Sequence, residues 1–404
     1  MSALDPSKIV AARARIAPHV LRTPLASSHT LSAMTGADVR LKCENLQKTG
    51  SFKARGALHR ILGLSAAERR RGVLAASAGN HAQGVAYAAA IAGVKATVVM
   101  PTSAAIAKVE ATRGYGADIV LAGADYAAAF RHAGELAHRS RATLVHAFDD
   151  DEIIAGQGTV GLEILEDLPD VDMIVVPVGG GGLAAGIVAA VADARVRVIG
   201  VQAALASTLQ PSLRAGRRVH ARPAPTIADG LATSSIGRRP WRVLRGELLR
   251  AVTVGEAEIA AAILLLLERA KLVVEGAAAT ALAACLGPLR RLIAGRKVAV
   301  VLSGGNIDVN VLDRILNLGL AEQGRVFRFA TVVTDRPGSL AALAAVIGEA
   351  GANIKHIQHD RGRLGVGVLE TMVTVELETR GPGHVPGIIG RLRAAGYRVL
   401  REDR

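Results

Sequence analysis

Lys48-Thr49-Gly50-Ser51-Phe52-Lys53-Ala54-Arg55-Gly56-Ala57 carries more information than any other ten residues of the chain. The strand-like run Val39-Arg40-Leu41-Lys42 precedes it, and Ala57, Leu58, Ile61 and Leu62 follow at the spacing of one helix face. Ser51 is a good N-cap, which sets Lys53 in the first turn at the positive end of the helix dipole. A positive neighbourhood disfavours an ammonium and pushes the amine toward the neutral form that attacks an aldehyde. Nine of the 49 basic residues are lysines, and no other has such a setting. A lone lysine opening a helix is ordinarily a surface residue. Two further stretches argue otherwise here.

The first is Val171-Asp172-Met173-Ile174-Val175-Val176-Pro177-Val178, a strand, followed by Gly179-Gly180-Gly181-Gly182-Leu183 opening a helix. Consecutive glycines after a strand let main-chain N–H groups converge on a phosphate at the helix N-terminus. No Lys-Ser/Thr pair follows, which excludes a nucleoside triphosphate loop. Gly180-x-Gly182-x-x-Ala185 fits the dinucleotide spacing, but Gln202 stands where that reading needs an acidic residue. A tight turn without a ligand needs one or two glycines, not four. The second stretch is the strand Val298-Ala299-Val300-Val301-Leu302, ending in Ser303-Gly304-Gly305-Asn306, with the loop Ser77-Ala78-Gly79-Asn80-His81 as its companion.

Together these motifs resemble the threonine/serine dehydratase branch of the fold type II pyridoxal-phosphate enzymes. The matching residues are Arg22-Thr23-Pro24-Leu25, Lys42-x-Glu44-Asn45-Leu46-Gln47, Thr49 to Ala57, Ser77-x-Gly79-Asn80-His81, Gly179 to Leu183, and Ser303 to Asn306. Six motifs in the right order, over about residues 5–320, make the resemblance specific. It implies an α/β fold of two doubly wound parallel sheets, with a large domain of 1–53 and 151–320 and a small domain of 54–150. The cofactor implied is pyridoxal 5'-phosphate, carried by Lys53 in the cleft. Phe52 would pack on its ring, Asn80 would bond its 3-hydroxyl, Ser303 would face its nitrogen, and Gly179, Gly180, Gly181, Gly182 and Leu183 would hold its phosphate. Ser77, Asn80 and His81 would hold the substrate carboxylate.

The reaction implied is β-elimination of L-threonine to 2-oxobutanoate and ammonia, and of L-serine to pyruvate, with Lys53 as the base at Cα. A neutral hydroxyl at Ser303 cannot keep a proton on the ring nitrogen, and the weaker electron sink favours prompt loss of the β-substituent. Ala78 stands where serine racemases carry a second serine, so elimination should outrun racemisation. Racemisation and β-replacement stay as alternatives within the fold. Ala203-Ala204-Leu205-Ala206 offers none of the acidic ligands that hold a divalent metal in serine racemases, so no metal is expected. Ala228-Asp229-Gly230 resembles a segment near the site entrance, and Glu275-Gly276-Ala277 one near the cofactor ring.

The chain as a whole sets the outer bounds. Its 404 residues, half of them hydrophobic, suffice for two or three domains with sizeable cores. The longest apolar run, 259–267, is too short for a bilayer span of about 20 residues. Residues 2–15 lack the apolar core of a signal peptide, and Cys43 and Cys285 are too few for a disulfide framework, which points to a reducing cytoplasm. The net charge of +14 raises the possibility of nucleic acid. Its arginines are scattered pairs and one triplet, Arg69-Arg70-Arg71, without interleaved aromatics, so that partner is set aside.

Strands are expected at 73–76, 96–100, 118–122, 143–147, 173–177, 196–202 and 297–302, and helices at 7–17, 83–92, 104–113 and 126–139. The Arg-, Pro- and Ser-rich stretch 203–245 reads as loop. Past Arg325 the pattern changes to strand 327–333, a helix opening at Asp335-Arg336-Pro337-Gly338-Ser339-Leu340, and Gly351-Ala352-Asn353-Ile354 turning into a strand. A strand at 366–376, a helix at 385–395 and a strand at 397–400 follow. This βαββαβ order over 327–404 resembles an ACT domain, which binds regulatory amino acids. The resemblance implies an effector at Asp335, Gly338 and Asn353, and a homo-oligomer, either dimer or tetramer. A ferredoxin-like module serving dimerisation alone is the bland alternative. An amino-acid sensor built on a dead scaffold is a third reading, and the intact Lys53, glycine loop and Ser303 argue against it.

Overall fold

The computed structural model describes residues 4–362 and 366–401. The chain forms two compact units, Met1–Asp308 and Val309–Arg404. The first contains two sheets. One has six strands in the order Leu25–Ser27, Asp38–Cys43, Lys297–Leu302, Met173–Pro177, Arg197–Ala203 and Arg250–Val254. Its first strand is antiparallel to the second, and the rest run parallel. The other sheet is wholly parallel, in the order Asp118–Leu121, Ala96–Met100, Val73–Ala76 and Thr143–Leu144. Inner strands such as Met173–Pro177 and Val73–Ala76 are apolar throughout because helices cover both faces. Among the described residues no helix is long and apolar enough to cross a membrane.

The helix Lys53–Leu62 is the hub of this unit, packing on Asn80–Ala92 and on Asp151–Asp167. One turn of it is tied down by charge. Arg55 is wholly buried, and its guanidinium donates to Glu44 Oε2 and Oε1 at 2.8 Å each and to Glu163 Oε1 and Oε2 at 2.6 and 2.9 Å. Lys42, also wholly buried, donates to Glu163 Oε2 at 2.6 Å and to the Thr23 carbonyl at 2.7 Å. Burial pushes the Glu44 carboxyl up, but Arg55 beside it overcomes this and holds the group below its usual range. The network fastens the strand Asp38–Cys43 and the helix Asp151–Asp167 to the segment that carries Lys53.

Several local expectations change. The helix begins at Lys53, so the lysine does sit in its first turn, but Ser51 is not the cap. Ser51 is still extended and bridges Gly304, while Phe52 N–H donates to the Ser303 carbonyl at 3.1 Å. The strand expected at 143–147 ends at Leu144. The stretch 203–245 is not simply loop, since it contains the helices Leu209–Ala215 and Arg238–Glu247. Gln202 explains the first of these. Its side chain takes the N–H groups of Thr208 and Leu209 at 2.9 and 2.6 Å and donates to the Val178 carbonyl at 3.0 Å. Strands Leu25–Ser27 and Arg250–Val254 escaped the sequence reading.

The second unit starts at Val309, ahead of residue 320, because the helix Val309–Glu322 packs on the strand Val326–Thr334. Its sheet is antiparallel, in the order Asn353–Asp360, Glu370–Glu378, Val326–Thr334 and Leu400–Arg401. The helices Ser339–Glu349 and Val385–Ala394 bury Leu343, Ile347, Ile388 and Leu392 against Phe327, Phe329, Val373 and Val375. The βαββαβ order is the expected one.

Arg55→Met should lower stability by about 3–5 kcal/mol, because it leaves the buried Glu44 carboxylate without its ion-pair partner and Glu163 with Lys42 alone. Urea unfolding measures the loss, and an unchanged midpoint would show that the network contributes nothing.

Candidate active site

Several helix starts border one cavity of about 320 Å3, an ordinary size for a small-molecule site, and two of them present main-chain N–H groups through glycines. The helix Gly182–Ala190 opens from the glycine loop, and no side chain caps it. Gly181 has φ +93°, in the region that favours glycine, and an added Cβ there would meet Pro240 at 2.9 Å. A Cβ at Gly180 would come within 2.3 Å of the Phe148 ring. Main-chain N–H groups are therefore the polar surface this loop presents. The helix Asn80–Ala92 likewise begins without a side-chain cap, from Gly79.

Every residue singled out for the catalytic site borders this cavity: Phe52, Lys53, Ser77, Asn80, His81, Gly179 to Leu183, and Ser303. Ala78 borders it too. The Lys53 amine donates to the Ala147 carbonyl at 2.9 Å and lies 5.1 Å from the centre of the Phe52 ring. Desolvation by the cavity walls pushes its pKa down to about 8, against the pull of the Glu275 carboxylate. The direction agrees with the sequence reading, but burial is the main cause.

Glu275, at 5% exposure, is itself pushed up to about 7 by burial. Asn80 Nδ2 donates to both its oxygens at 2.8 and 2.9 Å, and Asn306 Nδ2 donates to Asn80 Oδ1 at 2.8 Å and to the Thr49 carbonyl at 2.8 Å. Asn80 is thus the middle of a relay from Glu275 to the turn before Ser51.

Two of these side chains already have partners of their own. The Ser77 hydroxyl accepts from Gly79 N–H at 3.1 Å, so it shapes its own loop. His81 is buried and bonded to the Val145 carbonyl at 2.9 Å through Nε2. A carbonyl can only accept, and burial pushes the ring down to about 3, so His81 is neutral with its proton on Nε2. Its Nδ1 can only accept, and the ring offers a carboxylate no donor. The donors this leaves on the loop are main-chain N–H groups and the Ser77 O–H.

Lys108 and Asp229, paired at 2.8 Å, also border the cavity. Asp229 lies in the segment read as entrance. Lys108, His146 and Phe148 escaped the sequence reading, although two aromatic side chains flanking Ala147 in a chain with so few were a visible signal. The cavity suits pyridoxal phosphate: a desolvated amine, uncapped N–H groups at a glycine cradle, and a buried hydroxyl at Ser303. Among the described residues no group of His, Cys, Asp or Glu is placed to hold a metal.

In the second unit, Asp335 accepts from Arg361 at 3.1 Å, Gly338 precedes its helix with φ +91°, and Asn353 donates to Glu378 at 3.1 Å.

In cofactor-free protein, the reaction of Lys53 with an uncharged aldehyde should rise with pH through about 8. Glu275→Gln removes the charge that favours the ammonium, so its profile should move to lower pH. Trapping and peptide mapping give the two profiles, and coincident curves would rule out the coupling.

Residues 16–304 match the model of the pyridoxal-phosphate dependent enzyme family, and residues 329–391 match that of the ACT domain. The L-threonine ammonia-lyase of Thermotoga maritima is 48% identical over 382 residues, covering 94% of this chain and 95% of that protein. The solved T.th. threonine deaminase is 44% identical, with a TM-score of 0.71 over 75% of this chain and 99% of that one. Maize serine racemase is 35% identical, with a TM-score of 0.75 over 80% of this chain and 99% of that one. With its lysine, glycine cradle and C-terminal βαββαβ unit in place, this chain belongs to the pyridoxal-phosphate dependent enzymes and carries an ACT domain.

Proposed function

We propose that the protein is an L-threonine ammonia-lyase that also accepts L-serine, controlled by an amino acid at its ACT domain. The observation that carries the reading is the Lys53 amine, desolvated beside the glycine cradle in a cavity that has alanine at position 78. The extended similarity to an L-threonine ammonia-lyase supports the same choice.

Pyridoxal phosphate, when bound, supplies an aldehyde that joins to amines and a conjugated ring that spreads negative charge from Cα. Lys53 would carry it, the N–H groups of Gly179 to Leu183 would hold its phosphate, and Phe52, Asn80 and Ser303 would fix its ring. Main-chain N–H groups at the start of Asn80–Ala92 would take the substrate carboxylate, on a loop that Ser77 shapes. The neutral amine of Lys53 is then free to remove the Cα proton. Loss of the β-hydroxyl as water leaves an unsaturated amine, which hydrolyses to the 2-oxo acid and ammonia. Ala78 has no proton to return to Cα from a second side, so the substrate is committed to elimination.

Lys53→Ala should abolish both the yellow colour of the loaded protein and ammonia release from L-threonine, since one amine serves both. Turnover near the parent rate in this variant would place the base elsewhere.

Control would come from an amino acid bound at the Asp335–Gly338 turn and Asn353, between paired ACT modules of a dimer or tetramer. Gly338 leaves room for close approach, and Asn353 offers both donor and acceptor. Such an effector shifts activity by its differential affinity for two states, typically about 1–3 kcal/mol. Isoleucine or valine should change the saturation curve for L-threonine, and Asn353→Ala should remove that change while leaving the basal rate intact. Calorimetry that detects no amino acid binding to the parent would reduce the module to a dimerisation element.

A further inference from the structure

We propose that His146 is a positioning residue whose Nδ1 folds residues 146–149 into a clamp on both the Lys53 amine and the glycine loop. Parallel pairing of this segment stops at Leu144, with Val145 N–H still donating to the Leu74 carbonyl at 2.7 Å. Immediately beyond, His146 Nδ1 accepts the main-chain N–H groups of Phe148 at 3.2 Å and Asp149 at 2.9 Å. A ring nitrogen that accepts carries no proton, so the imidazole is the neutral Nε2–H tautomer. Burial favours the same state, lowering its pKa against the opposing pull of Asp149 and Asp150, while Lys53 reinforces it. The ring is held edge-on to Phe130 and Phe148, with centroids 5.4 and 4.7 Å away.

Three contacts hang from this turn. The Ala147 carbonyl meets the Lys53 amine at 2.9 Å. The Phe148 ring and backbone lie against Gly180 and Gly182, where added Cβ atoms would approach to 2.3 and 3.0 Å. The Asp149 carboxylate takes the N–H groups of Arg238 and Arg239 at 3.0 and 2.7 Å, fixing the start of the helix that sets Pro240 against Gly181. One imidazole nitrogen thus sets the relative place of the amine and the phosphate cradle. Because Nδ1 itself meets none of the reacting atoms, His146 acts through Ala147 and Phe148.

The inference rests on reading Lys53 and the glycine loop as the cofactor's anchors, and uptake of the cofactor by the parent tests that reading separately. Asparagine can accept the same two N–H groups through Oδ1, whereas phenylalanine keeps a ring and loses the acceptor. Parent, His146→Asn and His146→Phe, each loaded with pyridoxal 5'-phosphate, would be dialysed while bound-cofactor absorbance is followed. Losing two hydrogen bonds should make His146→Phe release cofactor about tenfold faster or more, with His146→Asn within about threefold of the parent. Equal leakage from both variants, or parent-like retention by His146→Phe, overturns the proposal. Should His146→Phe fail to fold, ring 15N spectra of the loaded parent decide the matter: a bare Nδ1 supports the assignment and a protonated Nδ1 overturns it. A parent that takes up no cofactor would sink the anchor reading instead.

Discussion

Lys53 stands where it does because Arg55, one half-turn further along the same helix, cannot move. Its guanidinium is wholly buried between Glu44 and Glu163, and Lys42 supplies the second positive charge that balances them. Such a network is poor evidence of stability, since apolar residues of the same shape would often do as well. Its value is specificity of place. The fork of an arginine fits two carboxylates in one orientation, so a rotation or slide of the helix would leave charges unpaired in the core. The strand Asp38–Cys43 and the helix Asp151–Asp167 are registered against the Lys53 helix by the same contacts.

That rigidity permits a second feature, a buried amine kept close to neutrality. The Lys53 ammonium is disfavoured by desolvation and partly rescued by Glu275, while Glu275 is disfavoured by desolvation and partly rescued by Asn80 and Lys53. Each group moderates the other, and both end near physiological pH. A lysine beside two carboxylates would stay charged, as Arg55 does, and could not serve as a nucleophile or base. The fold separates the two kinds of cation by two residues: Arg55 takes the two buried carboxylates, and Lys53 receives a carbonyl and one more distant carboxylate.

Much of this was legible in the sequence, though unevenly. Continuous apolar runs with clear edges located the inner strands to the residue at Val73–Ala76, Ala96–Met100, Met173–Pro177 and Lys297–Leu302. The glycine loop and the lysine stood out by composition. Three of the misses share a cause, which is a group that captures backbone partners outside its own element. Ser51 is an excellent cap by type, but its pairing with Gly304 keeps the chain extended for one more residue. Residues 145–147 have strand propensity, but His146 gathers the next N–H groups into a turn. Gln202 nucleates a helix in a stretch whose composition reads as loop. None of these bonds follows from apolar periodicity or capping preference, which are the patterns a sequence displays.

The same logic bears on how the cavity treats its ligands. Its hydrogen-bonding side chains are largely occupied within the protein: Asn80 with Glu275 and Asn306, Ser77 with the Gly79 N–H, His81 with the Val145 carbonyl. Side chains engaged in this way hold geometry and contribute few free donors. Free donors come instead from the main chain at two helix starts, which also carry partial positive charge. Such a surface can hold anionic groups through backbone that a point substitution can hardly alter. The proposed chemistry then rests on the few side chains without a full set of partners, and the proposed preference for elimination rests on the methyl group at Ala78.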